Sequence, residues 1–420
     1  MAKWPCHVST VYSYHHGIHT DSDPNRSSSM IKTGFLISCA ALCSTMLAMG
    51  APKDSAPTNN EDGTNEKLPV VYTVPLVGQM GTDIHEDLIA EIIEDIEEVQ
   101  PDVIIFRIDS ADLGTNQHLP QFNRLEAGKF QLPEYRNMCQ DLHTKLGHID
   151  QVVWIEDSVG ISSLLCMAWP KLYMSEGARL YGLQNLHRMV QNWNDEDIRE
   201  KMEEAMEGQA RGFFEMGGRG EYARVLGNAM IDPEKKLSAN FVGRDVIWLP
   251  HTEGMWLVDN NPEEVANWSS KTALDTMLIE DTVSSLEDLV FVLGYREYEH
   301  NTQGDEIAEK YTNRWRGSYA KCKVTYEDYR ADRGLGTTNS QARVLMAKRK
   351  QLEEVLNHMN RYSAVERRMK DEYGLTISQL EFDIATYKDQ IRQAKDAQRG
   401  GGRGGSRGGR GGGLGGGGRN

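Results

Sequence analysis

The sequence predicts an α/β protein with a mostly parallel sheet, followed by a charged helical hairpin and a Gly/Arg tail. Three observations carry this. Val70–Val77 and Val103–Ile108 are apolar, β-branched runs, and the stretch between them has helical periodicity. Gln151–Ile155 repeats the continuous apolar run of a strand buried on both faces. Beyond residue 338 that pattern stops, and long charged stretches with a 3-4 apolar spacing replace it.

The chain has 420 residues, 26% charged and 39% hydrophobic, enough for one core of roughly 250 residues plus appendages. The formal net charge of −16 makes a polyanion an unsuitable partner for the body of the protein. Met30-Ile31-Lys32 followed by the uncharged Gly34–Met49 reads as an export signal, with Ala48-Met49-Gly50 as its small-x-small cleavage site and Met30 as the expected translation start. An N-terminal membrane anchor is the rival reading, although these 16 residues fall short of the roughly 20 that a span needs. Leu36-Ile37-Ser38-Cys39 also resembles a lipoprotein cleavage box, with too few apolar residues before it. The expected location is therefore exported: periplasmic or cell-envelope, and bacterial. Residues 1–50 form the leader and signal, and 51–67, rich in Asn, Asp, Thr, Pro and Gly, a disordered linker.

The core is expected over 68–300. Val70–Val77, the helix carrying Ile84, Leu88, Ile89, Ile92, Ile93 and Ile96, and Val103–Ile108 make one βαβ unit. Pro133–Leu146 is a second helix and Gln151–Ile155 its strand. Gly160–Trp169 is an apolar helix, with short strands at Leu172–Met174 and Arg179–Gly182. Asp195–Met216 is a long charged helix whose acidic start suits the helix dipole. Val246–Leu249 is a further strand, and Ser270–Met277 and Ser285–Leu293 are closing helices. Residues 301–338 read as a connecting segment. Residues 339–397 read as a helical hairpin or coiled coil: Gln341–Asp371 as one helix, then Thr376–Ala397, where Ile377, Leu380, Ile384, Tyr387 and Ile391 form a seam. That seam serves either an antiparallel hairpin packed on its own domain or self-association. Residues 398–420 are a disordered Gly tail with five Arg, for which weak RNA or other polyanion binding is an alternative role. Cys139, Cys166 and Cys322 are too widely spaced for a disulfide framework or a zinc site.

The most informative stretch is Ile155–Gly182: a strand end, a small-residue elbow, a short apolar helix and two short strands. With Val70–Val77, Val103–Gly114 (VIIFRIDSADLG) and Trp268–Gly294, it resembles the ClpP/crotonase superfamily. Within it, the nearest likeness is to the membrane-associated serine peptidases of the NfeD and signal-peptide-peptidase A group. The resemblance implies a ClpP/crotonase-like spiral of repeated ββα/βαβ units, covering roughly Leu68–Gly294, and homo-oligomers built from it.

It also implies a serine on a tight turn, a lysine base and a glycine pair lining the oxyanion hole. Each is altered. Tyr173 matches the family's tyrosine, and counting back from it puts Gly160 in the nucleophile slot. A two-residue slip would place Ser162 there instead. Arg211 stands at the lysine position, before the Gly218-Arg219-Gly220 turn, and arginine stays protonated. Lys201 lies upstream in the charged part of its helix. Gly114 alone remains of the oxyanion turn. A Ser162/His187 pair places the histidine one turn too far along, and Asp157 has no partner to orient. The hydroxyls of Ser158, Ser162 and Ser163 otherwise read as helix caps.

The resulting expectation is a peptidase-like protein with a degenerate site, acting as an oligomeric scaffold for an extended peptide or envelope protein, without a cofactor. The alternatives are an active serine peptidase with Ser162 as nucleophile, cleaving membrane or envelope proteins, and a crotonase-like acyl-CoA enzyme. Export and the lack of an adenine-binding signature weigh against the last.

Overall fold

The core strands Val70–Gly78, Val103–Ser110 and Asp150–Val159 are runs rich in β-branched and aromatic residues, and each is followed in the chain by a helix. In the computed structural model, residues 67–110, 132–183, 194–333 and 340–401 are described, with side chains on the last helix described to 397. The export signal, the linker up to residue 66, Gly114, His187 and the Arg-Gly tail beyond 401 lie outside the described residues.

Strand β1 (Val70–Gly78) is buried from Val70 to Leu76. Helix α1 (Glu86–Val99) follows. The His85 ring caps its start by accepting the Asp87 amide, and Gln100, left-handed at φ 50°, ends it. Leu88, Ile89, Ile92, Ile93 and Ile96 form its buried stripe. Each such side chain contributes about 1.5–3 kcal/mol of burial, so packing rather than propensity holds this helix. Strand β2 (Val103–Ser110) runs parallel to β1, from Val71 opposite Val103 to Gly78 opposite Ser110. Helix α2 (Leu132–Leu146) leads to β3 (Asp150–Val159), parallel to β2, with Glu156 bulged between the Ile108–Ile155 and Asp109–Asp157 pairs. Helix α3 (Ile161–Cys166) is shorter than the expected Gly160–Trp169.

Strand β4 (Leu172–Ser175) pairs with the middle of β3, and β5 (Arg179–Tyr181) with its end. After α4 (Glu196–Met216) and α5 (Ala223–Ala229) come β6 (Leu237–Val242), β7 (Asp245–Leu249) and β8 (Trp256–Asp259). These three make a separate antiparallel sheet in the order β7-β6-β8. Only β7 was legible in the sequence: Ser238 and Asn240 interrupt the apolar pattern of β6, and β8 is only 4 residues long. Strand β9 (Asn267–Ser269), α6 (Ser270–Asp275), β10 (Asp281–Val283), α7 (Leu286–Val292) and β11 (Glu299–Asn301) complete the core. The main sheet runs β10-β4-β3-β2-β1-β11, parallel throughout, with β5 bridging β3 and an antiparallel β9. The α/β class with a mostly parallel sheet is thus observed. One face, with Val74, Phe106, Ile108 and Ile155, packs with α1, α2 and α3 residues. The other, with Val71, Ile105, Val152 and Trp154, packs under Leu289 and Val290 of α7.

The region after the core differs from expectation in three ways. The connecting segment is a 28-residue helix, α8 (Gln303–Arg330), held by buried Tyr311, Trp315 and Cys322. The single helix expected over Gln341–Asp371 is two, α9 (Gln341–Arg361) and α10 (Ser363–Tyr373), broken where Tyr362 takes an extended conformation. Gly374, left-handed at φ 67°, ends α10 as expected, and α11 (Ile377–Gly401) follows. The seam on α11 faces inward: Leu380 and Ile384 pack with Leu352, Val355 and Met359 of α9. Within this chain it is filled by the neighbouring helices, as in the antiparallel hairpin. No helix among the described residues is long and apolar enough to cross a membrane.

Candidate functional site

The elbow lies where β3 ends. Gly160 has φ 81° and ψ −130°, a conformation that side chains with a Cβ avoid. Its amide donates to the Tyr181 carbonyl of β5 at 2.9 Å, which fixes the turn, and α3 starts at the next residue. The tight turn expected of a nucleophile is present, and its apex has no side chain.

Ser162 does not replace it. It is 1% exposed, the second residue of the wholly buried α3. Its hydroxyl donates to the Ser110 carbonyl at 2.9 Å, with the Val159 carbonyl at 3.2 Å, and accepts from Ser158 at 2.8 Å. Ser163 donates to Ser158 at 3.2 Å, and the Cys166 thiol approaches the same oxygen at 3.7 Å. These hydroxyls therefore form a closed internal network, and the expected capping is not seen: α3 has no side-chain cap. Among the described residues no lysine or histidine nitrogen bonds to Ser162. The surroundings also oppose ionisation, since burial pushes the Cys166 thiol up to about 12.

Arg211 stays on α4. Its Nε donates to the Glu207 carbonyl one turn earlier at 3.3 Å, and its stem packs where a Cβ on Gly227 would sit. No hydrogen bond or ion pair joins it to the elbow among the described residues. Asp157 does have a partner: Arg179 of β5 grips it through Nε at 3.0 Å and a terminal nitrogen at 2.5 Å. The neighbouring Glu156, whose carboxyl is raised by burial, lies 3.2 Å from Arg107. The strand ends next to the elbow thus carry paired charges.

Sequence reasoning placed Arg219 in a turn and missed its role. Its guanidinium donates to the carbonyls of Trp169 (2.8 Å), Pro170 (3.2 Å), Gly217 (3.3 Å), Met167 (3.4 Å) and Leu278 (3.5 Å). Burial lowers its pKa to about 10, so it remains charged at neutral pH. It satisfies the carbonyls left open after α3. The signal was the glycine cluster around it: a Cβ on Gly217 would lie 2.1 Å from the Met167 carbonyl oxygen. Among the described residues, the group that could hold a metal ion is His85, Glu86 and Asp87. There His85 Nδ1 already accepts the Asp87 amide at 3.1 Å.

No family profile matches this chain, and no curated protein matches it. Among solved structures it is similar to the 1510-N membrane-bound stomatin-specific protease. The Lys-to-Ala mutant of that protease in complex with a substrate peptide matches at 11% identity and a TM-score of 0.36, over 58% of this chain and 98% of that one. A Ser-to-Ala mutant matches at 11% identity and a TM-score of 0.34, over 56% and 97%. The 1510-N membrane protease specific for a stomatin homolog from Pyrococcus horikoshii matches at 11% and 0.28, over 53% and 78%. At such identity and TM-score, no residue's role is carried over from them.

Proposed function

We propose that this protein is a catalytically silent, peptidase-like scaffold that holds an extended polypeptide at the cell envelope, assembled as a homo-oligomer. The observation that carries the reading is the glycine at the apex of the elbow. A nucleophile there would need a hydroxyl at residue 160, and the nearby hydroxyls are spent on one another and on backbone carbonyls. A parallel sheet in which β11 pairs with β1 only over Val70–Tyr72 leaves an edge that can bind a peptide by backbone pairing, which needs no nucleophile.

The test is labelling with a fluorophosphonate probe on the wild type and on Ser162→Ala. No labelling of either folded protein is expected, while Ser162→Ala loses about 1–3 kcal/mol of stability in urea from the broken network. Labelling of the wild type that disappears in Ser162→Ala would make the protein a peptidase and end the scaffold reading.

A further inference from the structure

The outer edge of β1 is paired for only part of its length. Strand β11 lies beside it at Val70, Val71 and Tyr72 and then stops. The ladder fixes which way each β1 residue points. The Val70 carbonyl accepts from Asp102 and the Gly78 carbonyl from Ser110, both on the β2 side. The Pro69 carbonyl accepts from Glu299, on the β11 side. Backbone groups alternate along a strand, so Val71, Thr73, Pro75 and Val77 point outward. Gly304, the second residue of α8, covers the first open position, its missing Cβ only 2.2 Å from the Thr73 carbonyl oxygen. Beyond it the Pro75 carbonyl and both backbone groups of Val77 have no partner among the described residues. Pro75 occupies an outward position, where a missing N–H breaks no ladder bond.

Helix α8 does not close this gap. It leaves a cavity of about 360 Å³, lined by Pro75 and Val77 on one side and by Ala308, Glu309 and Arg316 on the other. Val77 is 39% exposed there. The cationic groups in its wall are already engaged: Arg316 with Asp83 at 2.9 and 3.0 Å, and Arg107 with Glu156 at 3.2 Å. Glu309 is exposed and has no ion-pair partner among the described residues. A slot that offers one strand's unpaired amide and carbonyls, apolar stems and one free carboxylate suits a short extended segment bearing a basic side chain.

We propose that the open edge of β1 at Pro75–Val77 takes up an extended, basic peptide segment by strand addition, with Glu309 pairing its Lys or Arg. This gives the peptide-binding reading above a location and so rests on it. The site is separate from the elbow at Gly160.

The probe is a positional-scanning array of capped hexapeptides, each set with one residue fixed, applied to the full-length folded protein. Sets with fixed Lys or Arg are expected to bind best. Val77→Pro removes the outward N–H on a strand that already accommodates Pro75, and should weaken binding at least tenfold. Glu309→Lys, on the exposed face of α8, should abolish the basic preference without affecting folding. N-methylation of the peptide backbone should have the same effect as Val77→Pro. Binding that is indifferent to both substitutions would overturn this location while leaving the peptide-binding reading in place. Folded protein that binds no hexapeptide set would overturn both.

Discussion

The guanidinium of Arg219 donates to the carbonyl of Trp169 at 2.8 Å, across 50 residues of chain. It sets the end of α3, and with it the elbow, against the turn after α4. A lysine at this position would keep the charge but supply one nitrogen where the fork supplies two. Arg219→Lys is therefore expected to destabilise the protein by about 1.5–3 kcal/mol, the cost of losing hydrogen bonds from a charged group. Urea unfolding measures this. A change within a few tenths of a kcal/mol would mean that the carbonyls after α3 are satisfied without the fork.

How much of this was legible in sequence depends on how local the physics is. The ladder from β1 to β3 and the stripe on α1 follow from side-chain period, so their positions hold to within a few residues. The break at Tyr362 does not: nothing in Asn360-Arg361-Tyr362-Ser363 stops a helix, and the extended φ −140°, ψ 117° of Tyr362 comes with its packing against the core. The length of α8 was hidden because its buried residues, Tyr311, Trp315, Ser318 and Cys322, are mostly aromatic or small and are diluted by charge. At the site, the glycine apex at 160 could be read by counting. The inward turn of Ser162 could not, since it depends on the Ser110 carbonyl of another strand. Arg179 and Asp157 likewise meet only because β3 and β5 are neighbours.

Asp259 at the end of β8 is 6% exposed, and its Oδ2 lacks a hydrogen-bond partner among the described residues while Oδ1 accepts the Asn261 amide at 3.0 Å. Burial raises its carboxyl above its ordinary value, with the Asn261 amide and then Lys236 opposing. The native state therefore binds this proton more tightly than the unfolded chain does. The stability linked to it is fully present below the unfolded value and is lost as pH rises through the raised native one. Asp259→Asn keeps the Oδ1 acceptor and removes the charge. The substitution should be close to neutral in acid and stabilising at pH 7, with the difference opening as pH climbs out of the carboxylate range. Thermal melts of both proteins from pH 3 to 8 would show it. A variant less stable than wild type at pH 7 would mean that the Lys236 attraction outweighs burial.

The α11 seam separates two accounts of the C-terminal helices. Leu380 is fully buried and meets side chains of α9 and α10, including Leu352, Val355 and Met369. Removing most of its side chain leaves a cavity inside one chain, so Leu380→Ala should cost about 2–5 kcal/mol. Because the contact is internal, that loss should not depend on protein concentration, and the mass from light scattering should match the wild type. An intermolecular seam would behave differently: the same truncation would lower the mass, and stability would rise with concentration by mass action. Urea unfolding at two concentrations tenfold apart, combined with light scattering, distinguishes these outcomes. A fall in mass on Leu380→Ala would assign the seam to contact between copies, and the hairpin packing of α9 and α11 would then be wrong.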